Sequence, residues 1–127
     1  MAQNNIEKCM KKQICKRIEK YSEFKEEYYG TKKIQKDIFQ NKINKGFNTT
    51  DINKEFCLLY GEVAEAYDAY RKHKDDLGEE LADIAIYLLG LSEMLGKDLE
   101  DEILNKIEIN KNREYKNVDG TMIRIKG

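Results

Sequence analysis

Between residues 52 and 95 the apolar positions recur at three- and four-residue intervals, and the two stretches that carry them predict consecutive helices. In the first, Ile52, Phe56, Leu59, Val63, Ala66 and Tyr70 form one apolar arc. In the second, Leu81, Ile84, Ala85, Leu88, Leu89 and Leu95 form another, and Ala82 and Ile86 extend it round the other side. A helix apolar almost all round is expected to be buried. Upstream, residues 6 to 29 predict a helix with a ragged stripe of Ile6, Met10, Ile14, Ile18, Tyr21 and Tyr28 and with Gly30 as its stop. Its narrow apolar face and dense charge mark a peripheral or dimer-contact helix. Residues 32 to 44 predict another, with Ile34, Ile38 and Phe39 inward. It ends at Lys45-Gly46, after which Phe47 is expected to pack back on the helix.

The punctuation between these stretches agrees with them. Asn48-Thr49-Thr50-Asp51 is a dense N-cap signal for the helix that runs to about His73, and Lys74-Asp75-Asp76 is a short polar turn. Leu77 or Gly78 opens the next helix, which ends near Gly96; Asp98 can cap a last one from Leu99 to about Lys116. From Val118 to Gly127 a turn at Asp119-Gly120 precedes Met122-Ile123-Arg124-Ile125, either a short strand or a loose tail. The chain has no Pro and few Gly, so the commonest helix breaker is missing and the expected fold class is all-α. With 127 residues it is read as a single domain over 1–127: a peripheral helix over 1–30, a core over 31–116 and a tail over 117–127. A core of that size is one that a partner subunit could complete.

Composition narrows the setting. No apolar run approaches the roughly 20 residues of a membrane span, and the Lys-rich start lacks the apolar stretch of a secretory signal. Cys9, Cys15 and Cys57 are odd in number and fit no zinc spacing, which reads as reduced thiols in a cytoplasmic protein. The net charge of −1 is unevenly spread: residues 1–46 hold 12 Lys/Arg against 6 Asp/Glu, residues 47–102 hold 5 against 15, and residues 103–127 hold 6 against 3. No nucleic-acid-binding motif accompanies the basic flanks.

The acidic middle carries the chemistry. Glu62-Val63-Ala64-Glu65 is followed, after fourteen residues, by Glu80-Leu81-Ala82-Asp83. At about 100° per residue, the carboxylates of each i, i+3 pair lie about 60° apart on one helix surface. Glu62 and Glu65 border the first apolar arc; Glu80, Asp83 and Tyr87 fill the gap in the second. Partly desolvated carboxylates at close quarters repel and take up protons unless a cation compensates them. An all-oxygen set favours Mg²⁺, or Mn²⁺, over zinc or copper, and the single histidine, His73, is outside the Glu-x-x-His pattern of a di-iron bundle. Glu79 also reaches Asp83 at i+4, so the choice between Glu79 and Glu80 stays open on spacing alone.

A second constellation lies on the last helix, where Lys106, Asn110 and Arg113 are spaced i, i+4, i+7 beside Leu99, Ile103 and Ile107. Such a stripe can meet triphosphate oxygens, the Arg bidentately, or pair with Glu102, Glu108 and Glu114 on the helix surface.

The acidic pairs at this spacing, the basic stripe, Gly46-Phe47 and Gly96-Lys97-Asp98-Leu99-Glu100 together resemble the MazG-like branch of the all-α nucleoside triphosphate pyrophosphohydrolases over about residues 31–116. The resemblance implies a MazG-like helical bundle and Mg²⁺-dependent hydrolysis of an NTP or dNTP to the monophosphate and pyrophosphate. Glu62, Glu65, Glu80 and Asp83 would be the metal set, and Glu62 or Glu65 the catalytic base. Lys106, Asn110 and Arg113 would bind substrate. It implies a homodimer or dimer of dimers, with sites built between subunits. The ends of the chain do not match the family pattern. Two alternatives stay open: a superfamily member acting on dUTP or phosphoribosyl-ATP, and a non-catalytic bundle that uses its charged stripes for association.

Overall fold

The computed structural model describes residues 30–127, together with Asn5, Lys8 and Lys12, which are helical and exposed. The peripheral helix expected over residues 6 to 29 otherwise lies outside the described residues. From residue 30 onward the elements are α1 (Thr31–Lys45), α2 (Ile52–Arg71), α3 (Leu77–Met94), α4 (Leu99–Lys111), β1 (Glu114–Val118) and β2 (Thr121–Lys126). The described chain is thus mainly helical, with a small antiparallel sheet.

Local chemistry sets the helix ends. Gly46 closes α1 in the left-handed region at φ 70°, where a Cβ would be strained, and the N–H of Phe47 donates to the carbonyl of Lys42 at 2.9 Å. The backbone signature of the expected stop is present, and the Phe47 side chain, 60% exposed, lines a hollow together with Ile34 and Ile38 of α1. Asp51 caps α2 by accepting from the N–H of Lys54 at 3.0 Å, and Asp98 caps α4 by accepting from the N–H of Asp101 at 3.1 Å.

The core is built by α2 and α3 packed side by side, with α1 laid across α3. A Cβ on Gly90 would meet Ile38 and Lys42 side chains at 3.4 and 3.3 Å, so a residue without one lets α1 approach α3 closely. Buried Gln35 on α1 ties the layers together. Its Nε2 donates to Glu93 Oε2 and to the carbonyl of Lys97, both at 2.7 Å, while its Oε1 accepts from the N–H of Leu99 at 3.1 Å. Exposed Lys32 adds contacts to Asp98 and Asp101 at 2.6 and 2.7 Å, which hold the Asp98 carboxyl below the usual range but contribute little to stability.

Three expectations need correction. On α2 the inward stripe is Ile52, Glu55, Leu59, Glu62, Ala66 and Ala69, rotated from the predicted arc: Glu55, Ala66 and Ala69 are buried, whereas Phe56, Val63 and Tyr70 are exposed. Small alanines allow the closest approach to α3, and the bulky rings are displaced to the flank. The second correction concerns α3, which is not buried all round; full burial is confined to Leu89, Gly90, Leu91 and Ser92, and Leu81, Ile86 and Leu88 are exposed.

The third is the C-terminal region. Helix α4 stops at Lys111, capped by Asn112, instead of reaching Lys116, and residues 114–126 form a hairpin. Asp119 and Gly120 both take positive φ, 49° and 82°, as a two-residue hairpin turn with the right twist requires. Strand pairing through Tyr115↔Arg124, Lys116↔Ile123 and Val118↔Thr121 therefore wins over helix continuation.

Candidate metal and nucleotide site

Two turns of the α2 inward stripe bring Glu62 to the α2–α3 seam, and Glu65 follows one turn on. Across the seam, Glu80 sits in the first turn of α3. One carboxylate oxygen from each of Glu62, Glu65 and Glu80 can be chosen so that all lie within 4.8 Å of one another. Oxygens on opposite sides of Mg²⁺ at about 2.1 Å from the ion would be about 4.2 Å apart, so these residues fit a hard cation after a small closure. Glu80 Oε2 is buried and has no hydrogen-bond partner among the described residues, which leaves it an open acceptor.

The electrostatics match this geometry. Burial pushes the Glu62 carboxyl above its usual range, and the charges of Glu65, Asp83 and Glu80 push it further. The Glu80 carboxyl is raised by burial, then by Asp76, Glu65 and Asp83, against a small opposing effect of Lys74. The Tyr87 hydroxyl is raised by burial and by the negative field of Glu62, Glu55, Asp83 and Glu65. Such a cluster binds either protons or a cation.

Of the four expected metal-binding residues the structure gathers Glu62, Glu65 and Glu80. Asp83 is exposed and outside the group, though its charge reaches Glu62 and Glu80. Glu79 is exposed, whereas Glu80 is half-buried and is the one of the two in the group.

The basic stripe is not assembled as spacing suggested. Lys106 and Asn110 lie exposed on α4, but Arg113 follows the helix end and starts the hairpin, so the three do not share one helix face. The Arg113 Nε is buried with no hydrogen-bond partner among the described residues, and the Arg113 Cγ lies against Gly127, where an added Cβ would come within 3.1 Å of it. Among the described residues α4 packs on α1 and makes no extended contact with α2 or α3. Within one chain the basic groups are not brought to the carboxylates.

Two hollows open beside α2 and α3, and only the smaller has residues of the acidic group in its wall. A small one of about 340 Å³ is lined by Glu65, Glu80, Ala64, Asp68 and Lys74. The Asp68 carboxyl there is held below its usual range by Lys72 and Lys74, which donate to it at 2.9 and 3.3 Å. The larger, of about 630 Å³, lies between α1, α2 and α3 and has Ile34, Ile38, Phe47, Leu58, Ile86 and Tyr87 among its walls. Its polar wall is made by Asp37, Asn41, Lys42, Asn48, Lys54 and Glu55; Glu55 is only 1% exposed, its Oε1 accepts from Asn48 Nδ2 at 3.0 Å and its Oε2 lies 2.9 Å from Lys42 Nζ. Lys42 also stands over the Tyr87 ring, 5.9 Å from its centroid.

Sequence reasoning missed Glu55, Lys42 and Asn48. The available signal was the seven-residue step from Glu55 to Glu62, which puts both on one helix face about 10.5 Å apart along the axis. Comparisons with known protein families, with curated proteins and with solved structures find no match for the chain. Among the described residues no helix is long and apolar enough to cross a membrane.

Proposed function

We propose that the chain is a Mg²⁺-dependent nucleoside triphosphate pyrophosphohydrolase, releasing the nucleoside monophosphate and pyrophosphate. The observation that carries this reading is the grouping of Glu62, Glu65 and Glu80 at the edge of a half-buried seam, with an open buried acceptor on Glu80. The apolar hollow beside it supports the same reading, since it offers a place for the rest of a nucleotide. Bound Mg²⁺, with Mn²⁺ as its substitute, would neutralise phosphate oxygens and favour a nucleophilic water.

In the reaction a water oxygen bonds to the α-phosphorus while the bond to the bridging oxygen breaks, and that electron pair leaves with pyrophosphate. Glu65 and Glu80 would hold the cation, and Glu62 would accept the water's proton. Glu62 suits that role because burial and its acidic neighbours raise its proton affinity. Lys106, Asn110 and Arg113 contact the outer phosphates from a second copy of the chain, because α4 of the same chain points them elsewhere. A MazG-like bundle completed by dimerisation accommodates this arrangement.

The test is a release assay over all NTPs and dNTPs with Mg²⁺, run with and without inorganic pyrophosphatase so that pyrophosphate and orthophosphate are separated. Monophosphate and pyrophosphate in equal amounts are expected. Orthophosphate as the first product, or no turnover of any triphosphate, would reject the proposal.

A further inference from the structure

The small hollow beside the acidic group has one cation in its wall. Its lining is Ala64, Glu65, Asp68, Lys74 and Glu80, so two acids of the group face it together with Lys74. One of those acids, Glu80, has a buried Oε2 with no hydrogen-bond partner among the described residues. Lys74 is placed there by the end of α2. His73 takes the left-handed region at φ 52°, which turns the chain. The N–H of Lys74 then donates to the carbonyl of Ala69 at 2.9 Å, and the N–H of His73 to that of Tyr70 at 3.2 Å. Ala69 is buried, so the Lys74 backbone is anchored to a packed turn while its side chain stays 47% exposed. The Lys74 ammonium rests on Asp68 at 3.3 Å, but Asp68 also meets Lys72 at 2.9 Å and Arg71 at 3.4 Å. One carboxylate cannot satisfy three cations, and an exposed pair of this kind contributes little to folding. Lys74 is therefore free to exchange Asp68 for a stronger acceptor, and its charge already reaches Glu80.

We propose that Lys74 is the phosphate-binding cation that the chain supplies to its own acidic group: its ammonium leaves Asp68 and donates to the two outer phosphates of a Mg²⁺-bound triphosphate, the part that departs as pyrophosphate. The reading rests on the proposed hydrolase site. The side of the substrate follows from the walls of the hollow. Glu65 and Glu80, which would hold the cation, line it, whereas Glu62, the base beside the attacked phosphorus, does not. The hollow thus takes the leaving side. An ammonium there forms charge-assisted hydrogen bonds to phosphate oxygens and meets the charge that accumulates as the bridging bond breaks. The same placement has an opposite effect on the bare metal. Without a phosphate between them, Lys74 and Mg²⁺ are like charges beside one carboxylate and repel. Lys74 should therefore oppose Mg²⁺ alone and favour Mg²⁺ with a polyphosphate, a pair of signs that a merely structural role at the end of α2 would not produce.

The test is calorimetric titration of the full chain at pH 7.5, first with Mg²⁺ alone and then with inorganic pyrophosphate in the presence of Mg²⁺. Lys74→Met is expected to weaken pyrophosphate binding at least about tenfold, with unchanged circular dichroism, while Mg²⁺ alone binds as tightly as to the parent chain or more tightly. Lys74→Arg should keep most of the pyrophosphate affinity, because the positive charge is retained. Lys72→Met removes another partner of Asp68 that does not line the hollow, and should change pyrophosphate affinity by less than about twofold. Unaltered pyrophosphate affinity in Lys74→Met, an equal loss in Lys72→Met, a parallel loss of Mg²⁺ affinity, or no binding of pyrophosphate by the parent chain would overturn the proposal. Binding of pyrophosphate through Lys74 without turnover of any triphosphate would retain it and sink the hydrolase reading. Full triphosphate turnover in Lys74→Met would do the reverse.

Discussion

Glu62, Glu65 and Glu80 were legible in the sequence as side chains because two i, i+3 acid pairs on adjoining helices are rare on borders of apolar arcs. Their unequal roles were not, since these depend on which oxygen the seam desolvates. For the proposed reaction, Glu65→Ala or Glu80→Ala is expected to lower kcat/KM at least about 100-fold, roughly 2.7 kcal/mol of transition-state stabilisation, with helical circular dichroism retained. Asp83→Ala, at an exposed position outside the group, should lose distinctly less; equal losses at Asp83 and Glu80 would refute the assignment. Lys42→Met tests a different element of the site. It leaves Glu55 charged and buried at 1% exposure, and breaking such a pair costs about 3 kcal/mol, read as a lower urea midpoint at constant slope. Glu55 itself escaped sequence reasoning because, in a chain with 37% charged residues, one acid seven positions before another reads as solvated surface.

At the scale of elements, the outward face of α2 carries Phe56, Tyr60, Val63, Tyr67 and Tyr70, spaced 4-3-4-3 and each at least 42% exposed. That is the spacing of a helix-pairing seam, so a second copy of the chain would find an apolar stripe to cover. Sedimentation is expected to give a dimer at micromolar concentration, and Val63→Asp with Tyr67→Asp should shift it to monomer; a monomeric parent chain would refute the pairing. Gln35 tests the other joint. Its three hydrogen bonds link α1 to Glu93, Lys97 and Leu99, so Gln35→Leu should cost about 2 kcal/mol and lower Tm by roughly 10 °C. Helix positions were readable from 3.6-residue periodicity, but the rotation of α2 was not, because Ala66 and Ala69 tie with larger residues on hydrophobicity and win on size. The hairpin was half readable: Asp119-Gly120 announced its turn, while Glu114 to Lys116 also fit a helix.

Over the whole molecule, metal and proton compete for one cluster. Glu62 and Glu80 have raised carboxyl pKa values in the fold, so their penalty is missing below the unfolded carboxylate range. It grows as pH rises through that range to the raised folded values. Without divalent cations, the Tm contribution of this cluster should therefore fall as pH rises above about 4. Asp68 and Asp98, whose carboxyls are lowered, act oppositely, and their contribution is lost only on acidification. Mg²⁺ should raise Tm at pH 7.5, by about 2.7 kcal/mol of stability at a concentration 100 times its dissociation constant, and do nothing near pH 4. Calorimetric scans with Mg²⁺ and EDTA decide this, and an equal Mg²⁺ effect at both pH values, or none, would refute cation binding by these carboxylates.

Among the described residues the sequence by itself determined the four helical segments between Thr31 and Lys111, where α1, α2 and α4 begin or end through Gly46, Asp51 and Asp98, and which acids could share a site. These depend on a few neighbouring residues, whose periodicity and capping chemistry act locally. Tertiary structure alone decided that Glu80 and not Glu79 joins the acidic group, that Asp83 stands apart, and that Glu55 belongs in the wall of a hollow with Lys42 from another helix. It also decided that Arg113 leaves the helix for a hairpin and that Lys106 lies away from the acids of its own chain. The outcomes on the helices follow from how closely two helices approach and which side chain is small enough to be between them, a property of pairs far apart in sequence, and the Arg113 outcome follows from strand pairing in the hairpin.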